Sequence, residues 1–190
     1  MKAYKATYNC TCKNITFELG KTYTYDKELI MCQQGFHFCK NPLNTINYYP
    51  PNKNFILMEI EVLGDIIDGI DIEYVEDKLD KSVTNKFKVT KILSNKESLD
   101  LIGYQLTYDQ NNNLINYKNN ESYECWKEYD KNNNLIHHKD NTGLEYWQEF
   151  DQNNNIIHYK NTDGLECWYK YDNNNNLIHY NNNQGYELSL

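Results

Sequence analysis

Apolar and polar positions alternate in short runs through the first half of the chain and recur in a long, regular period through the second. Residues 2–8 alternate, and residues 16–17 and 22–25 flank the turn residue Gly20. Gly35-Phe36-His37-Phe38-Cys39 has the apolar density of a short buried strand. Alternation of period two places successive side chains on opposite faces of a strand. Asn41-Pro42 supplies an N-cap side chain followed by proline in the first turn. This predicts a helix over residues 43–49, stopped by Pro50-Pro51. Phe55-Ile56-Leu57-Met58-Glu59-Ile60-Glu61-Val62 is the strongest predicted strand, ended by Gly64-Asp65, and residues 86–93 alternate cleanly. Residues 65–80 are acidic and carry no period. The expectation is an α+β domain over residues 1–95, joined through residues 94–101 to the second half.

Residues 96–190 are repetitive. Tyr108-Asp109, Tyr129-Asp130, Phe150-Asp151 and Tyr171-Asp172 recur every 21 residues, in step with Trp126, Trp147 and Trp168, with Gly143, Gly164 and Gly185, and with His137, His158 and His179. Each unit reads strand, Asn-rich turn, strand, then a turn into the next unit. Asparagine tolerates the left-handed backbone that tight hairpins require. Four landmarks in one register predict an antiparallel β-meander of four hairpin repeats.

The register can be carried further. With Asp151 opposite Ile156 across a four-residue turn, Phe150 lies opposite Ile157 and Gln148 opposite Tyr159, sharing a face with Tyr146. The other face carries Glu145, Trp147, Glu149, Asp151, Ile156, His158 and Lys160. A two- or four-residue turn keeps this parity, whereas a three-residue turn scrambles it. One face is therefore mainly Tyr, Phe and Ile, and the other is a tryptophan stripe bracketed by charges.

Charge sharpens the division. Residues 1–95 carry 12 lysines against 12 acids, and residues 96–190 carry 7 lysines against 15 acids, which accounts for the whole net charge of −8. An acidic module is repelled by nucleic acid and anionic membranes and drawn to basic protein surfaces. All 19 basic residues are lysine. The absence of arginine removes the planar fork best suited to gripping phosphate, although a genome poor in G and C would produce the same bias. No apolar run approaches the roughly 20 residues of a membrane span. Met1-Lys2-Ala3-Tyr4-Lys5 leads directly into a strand-like segment rather than a signal peptide, so a cytoplasmic location with six reduced thiols is expected.

The motif Cys32-x-x-Gly35-Phe36-His37-x-Cys39-x-Asn41-Pro42-Leu43, with the opening Met1-Lys2-Ala3-Tyr4-Lys5, Cys12 and Gly20-Lys21-Thr22-Tyr23, resembles a family of uncharacterised proteins common in phages and prophages. The resemblance covers residues 1–93, including Asp80-Lys81-Ser82, and implies a mobile-element origin. Members of that family commonly carry a repetitive C-terminal extension. A shorter resemblance, to ADP-ribosyltransferase-like folds, rests on Tyr4-Lys5-Ala6 and on Gly35-Phe36-His37-Phe38 leading into a helix ending near Tyr48. No glutamate stands at a matching motif, and the arginine used by some branches is missing. The repeats resemble YD-type (Rhs-like) repeats, whose families build large shells from many units. Four units cannot enclose anything, and the hairpin meander is what carries over.

Individual residues have structural explanations that compete with functional ones. Cys10, Cys12, Cys32 and Cys39 with His37 lack the paired spacing of a zinc knuckle, and buried thiols account for them. His37 points away from Phe36 and Phe38 on a strand and suits a hydrogen-bonding role. Equivalent histidines in successive hairpins stand two strands apart, about 9.5 Å, too far to share a metal, and His158 should pair with Glu149. The tryptophans either pack or dock.

The sequence thus assigns no catalytic group, cofactor or metal. It points to a non-catalytic phage-type protein that engages a host protein bearing a basic or nucleic-acid-binding surface, as an anti-CRISPR-like defence inhibitor would. The expected docking residues are Trp126, Trp147 and Trp168 with Glu124, Glu128, Glu145 and Glu149. Direct nucleic-acid or membrane binding is not expected, and self-association through the repeat sheet is an accessory expectation. The alternatives are a transferase-like activity in residues 1–93 and a structural virion or surface component.

Overall fold

The computed structural model describes residues 1–69 and 80–189. The acidic segment left without a period at the sequence level falls largely outside them. The chain forms two compact units, Met1–Tyr104 and Gln105–Leu190.

The first unit contains β1 (Lys2–Tyr8), β2 (Thr11–Cys12), β3 (Ile15–Thr16), β4 (Thr22–Thr24) and β5 (Phe36–Phe38), followed by a 3₁₀ turn (Pro42–Asn47). There follow β6 (Phe55–Val62), β7 (Ile66–Asp68), β8 (Ser82–Thr84), β9 (Lys86–Ile92) and the helix α1 (Asn95–Ile102). Six strands form a sheet in the order β3-β2-β1-β6-β9-β4, and β5-β8-β7 form a second, smaller one. β1 pairs with β6 along its whole length, from Lys2 opposite Glu61 to Tyr8 opposite Phe55. Ala3, Phe17, Phe36, Phe38, Met58, Ile60 and Phe87 meet in the core. There Phe36 and Phe87 make an edge-to-face contact at 4.9 Å. Gly35 enters this region with φ +99, and a Cβ there would lie 2.5 Å from Leu29 and 2.6 Å from Val83.

This unit is mainly β rather than α+β: among the described residues, two short helical segments, the 3₁₀ turn and α1, accompany its strands. Asn41 does cap the expected helix, its side chain accepting from the Leu43 N–H, but the segment is 3₁₀. With Pro42 at one end and Pro50-Pro51 soon after, six residues are too few to offset the cost of nucleating an α-helix. The expected connecting stretch is instead α1. Ser94 and Glu97 form a capping box at its start, and Gly103, left-handed at φ 75, ends it. Leu99 and Ile102 are buried. The Ser98 hydroxyl accepts the Leu57 N–H at 2.9 Å, so α1 is an integral part of the first unit.

The second unit is a nine-stranded antiparallel meander in sequence order. Its strands are β10 (Gln105–Tyr108), β11 (Leu114–Lys118), β12 (Glu124–Tyr129), β13 (Leu135–Asp140), β14 (Glu145–Phe150), β15 (Ile156–Asn161), β16 (Glu166–Tyr171), β17 (Leu177–Asn182) and β18 (Glu187–Ser189). The repeated aspartate closes each hairpin. In the turn after β14, the Asp151 carboxylate accepts from the N–H groups of Asn153 (2.8 Å) and Asn155 (2.9 Å) and from the Asn155 side chain (3.0 Å). Asn154 takes the left-handed conformation at φ 65. Asp109, Asp130 and Asp172 accept from the same relative positions in their own turns. At the opposite end, Asn119, Asp140 and Asn182 accept the corresponding two N–H groups.

These hairpin loops contain three residues, not four. Asp151 N–H bonds to Asn155 C=O at 3.0 Å, leaving residues 152–154 as the loop. Such a loop alone would exchange the two faces, but a β-bulge restores them. Glu149 is opposite His158 while Phe150 is opposite Ile156, which makes Ile157 the extra residue. The same shift occurs in the other three hairpins. The deduced pairs Gln148–Tyr159 and Glu149–His158 therefore stand, and the Asp151–Ile156 and Phe150–Ile157 pairs do not.

Turns are also tied to one another. The side chain of Asn134 donates to Asn154 at 2.8 Å, and Asn113 to Asn133 and Asn155 to Asn175 repeat the bond. The asparagine runs thus supply loop closure, left-handed residues and stitching between repeats.

Candidate functional site

Register places the three tryptophans in equivalent rows across the second unit. One row runs Glu128, His137, Trp147, Lys160 and Glu166 on five successive strands. The next runs Glu149, His158, Trp168, Asn181 and Glu187. Trp126 occupies the same place between Asn116 and Lys139, with Glu145 beyond. Each tryptophan is thus flanked by a polar residue on either strand, with a glutamate farther along the row.

The tryptophans are open to solvent: Trp126 is 43% exposed, Trp147 38% and Trp168 37%. The opposite face includes the buried residues Cys125 and Cys167, at equivalent repeat positions, and His138. Two tryptophans are braced by the preceding hairpin. His137 stacks on Trp147 at 5.1 Å between centroids, and His158 on Trp168 at 5.6 Å. Each of these histidines is held by two glutamates. His158 reaches Glu149 at 3.2 Å and Glu166 at 2.9 Å, and His137 reaches Glu128 at 3.4 Å and Glu145 at 3.0 Å. A ring fixed by a stack and two carboxylates loses little further freedom when it is covered, which favours recognition.

The four acids expected at the docking face divide into two kinds. Glu128 and Glu149 project, with side chains 69% and 68% exposed. Glu145 is engaged within the sheet by both His137 (3.0 Å) and Lys139 (3.3 Å), and the His137 hydrogen bond is the main cause of its lowered pKa. Glu124 lies near Lys118 at 3.7 Å and accepts from Asn116 at 3.3 Å. Glu124 and Glu145 therefore brace the face, and Glu128 and Glu149 form its accessible rim. Much of the module's remaining acidity sits in Asp109, Asp130, Asp151 and Asp172, whose carboxylates serve the turns.

The sequence does not reveal the stacking histidines as partners of the tryptophans, because the contact crosses from one hairpin to the next. Extending the strand register through the Gly143 turn would have found it, since His137 pairs directly with Trp147.

In the first unit, His37 accepts the Cys32 N–H at 2.8 Å through Nε2. Burial, reinforced by Lys81, Lys5 and Lys13, pushes its pKa down to about 4, so the ring is neutral near pH 7. Cys39 is buried and its thiol pKa is pushed up to about 12, chiefly by desolvation. The six cysteines are free. Among the described residues no three His, Cys, Asp or Glu side chains gather as a metal would require.

Residues 1–101 match a protein family described as a domain of unknown function, DUF7666. The chain belongs to that family. The DUF7666 match runs from β1 through most of α1 and ends before the first repeat strand. Comparison with curated proteins finds none that matches. Among the described residues no helix is long and apolar enough to cross a membrane.

Proposed function

We propose that the protein is a non-catalytic binding protein that engages a basic protein surface through the tryptophan face of its repeat sheet. The observation that carries this reading is the registered column of Trp126, Trp147 and Trp168, each more than one-third exposed on a single face. Aromatic anchors of this kind supply desolvated contact area at interfaces, where tryptophan is enriched. Glu128 and Glu149 add accessible negative charge beside them. The concentration of the protein's net charge of −8 in its second half gives that module a field that steers basic partners.

The resemblance of residues 1–93 to phage and prophage proteins favours a host protein as the partner. A defence protein with a basic nucleic-acid groove has the complementary chemistry, which makes an anti-CRISPR-like inhibitor the specific form of the proposal. The test is affinity capture from a bacterial host lysate with the full chain and with its Trp147→Ala variant as baits. A basic protein retained by the first bait and lost from the second supports the reading. Identical captures by both baits, or no specific capture by the wild-type chain, contradict it.

A further inference from the structure

The first unit carries a partly open cavity of about 370 Å³ whose lining differs in charge from the rest of this acidic protein. Three lysines, Lys5, Lys13 and Lys81, contribute to its wall, and among the described residues no aspartate or glutamate lines it. The ammonium of Lys5 is the most unusual of the three. Lys5 shares a strand face with Ala3 and Thr7 and is only 6% exposed. Its Nζ donates to the His37 carbonyl at 2.9 Å and stands 5.5 Å from the centre of the Phe17 ring. No carboxylate among the described residues pairs with it. A buried cation is costly unless paired, and desolvation accordingly lowers the Lys5 pKa, a cost that a bound anion offsets.

Aromatic side chains make up much of the remaining wall. Lys81 Nζ lies 4.3 Å above the centre of the Tyr48 ring and 3.4 Å from Cys32 Sγ. The Tyr48 hydroxyl is buried without a hydrogen-bond partner among the described residues. Phe17, Tyr25 and Tyr49 add further ring surface. The volume lies at the lower end of the range for small-molecule sites, which are typically roughly 300–1,000 Å³ and combine apolar walls with a few convergent polar groups.

From the juxtaposition of three lysines, a lining without acids among the described residues, and aromatic side chains in the wall, we infer that this cavity binds a small organic anion bearing a flat ring, of the nucleoside-monophosphate class. The lysines neutralise the anionic end, and the rings cover the flat body. This site is independent of the tryptophan face, because every residue lining it belongs to the first unit.

The experiment is calorimetric titration of the full chain with the four common ribonucleoside 5′-monophosphates, their uncharged parent nucleosides, inorganic phosphate and benzoate. At least one ring-bearing anion should bind, about tenfold or more tighter than both its uncharged parent and inorganic phosphate. Lys81→Gln and Lys13→Gln should each weaken that ligand by at least about fivefold while leaving the melting curve in place. Both lysines are only partly buried or exposed, so these variants keep the test valid even if Lys5→Met fails to fold. Three outcomes overturn the inference: no ring-bearing anion binding at millimolar concentration, a parent nucleoside or phosphate binding as well as the ring-bearing anion, or affinity unchanged in both lysine variants.

Discussion

His137 lies flat against Trp147, with ring centroids 5.1 Å apart and planes within 8° of parallel. The two residues belong to different hairpins, so the stack joins consecutive repeats as well as orienting the indole. An aromatic pair of this kind contributes about 0.5–1.5 kcal/mol beyond the area it covers. A double-mutant cycle with His137→Ala and Trp147→Ala, read by urea denaturation, should return a coupling energy in that range. Additive effects would show that the rings are neighbours without mutual support.

Asp151 closes its hairpin as a hydrogen-bond acceptor. Donation from the Asn155 side chain, then from the backbone of Asn155 and Asn153, holds its carboxyl below the ordinary value of 3.8. Asp130 and Asp172 are lowered in the same way, chiefly by the Asn134 backbone and the Asn176 side chain. A depressed folded-state pKa contributes stability that is present above the unfolded value and lost as pH falls through the folded one. The melting temperature should therefore fall between roughly pH 5 and pH 2, and fall less steeply in Asp151→Asn. That variant keeps an acceptor, as Asn119 and Asn182 show at the other end of the sheet. Asp151→Ala, which keeps none, should melt below Asp151→Asn at pH 7, and the reverse order would contradict the turn assignment.

The 21-residue period makes the repeat sheet legible in the sequence because each landmark has a local cause. Aspartate closes the loop, asparagine or glycine takes the left-handed position, and tryptophan recurs on one face. The bulge at Ile157 is hidden, since an extra residue in a strand leaves no compositional mark. Helix α1 carries a readable signature in Ser94-x-x-Glu97 ahead of apolar residues. Its shortness makes it look like a linker until Ser98 is seen to satisfy Leu57. The cavity lysines are illegible for a different reason. Lys5 sits in an alternating strand where lysine reads as solvent-facing, and Lys81 lies 76 positions farther along the chain. Only the fold brings them together.

Gly35→Ala tests the tight approach beside Phe36 in the first unit by direct crowding. Its Cβ would fall 2.5 Å from Leu29 and 2.6 Å from Val83, at a φ of +99 that side chains rarely adopt. Overpacking of this kind typically costs about 1–3 kcal/mol. Urea denaturation should show a loss of at least this size, whereas an unchanged midpoint would mean that β5 and β8 can separate freely.

The first unit should fold as residues 1–104 and lose stability when cut after residue 94. The shorter chain lacks Leu99 and Ile102, which are buried, each contributing about 1.5–3 kcal/mol. It also leaves the Leu57 N–H without its Ser98 acceptor, at a cost of about 1–3 kcal/mol. Circular dichroism melting of the two chains should show a cooperative transition for residues 1–104 and a lower or absent one for residues 1–94. Equal melting temperatures would show that α1 is dispensable.

Binding kinetics of the captured partner test the docking face most directly. Immobilised partner would be exposed to the wild-type chain, to Trp147→Ala and to Glu128→Lys/Glu149→Lys, each first verified as folded. Loss of a central aromatic anchor should chiefly raise the off-rate, by an amount equivalent to about 2 kcal/mol or more. Reversing the two rim charges should chiefly lower the on-rate, and the wild-type on-rate should fall as salt rises. Unaltered kinetics in both folded variants would contradict the account and leave the tryptophan column as packing alone.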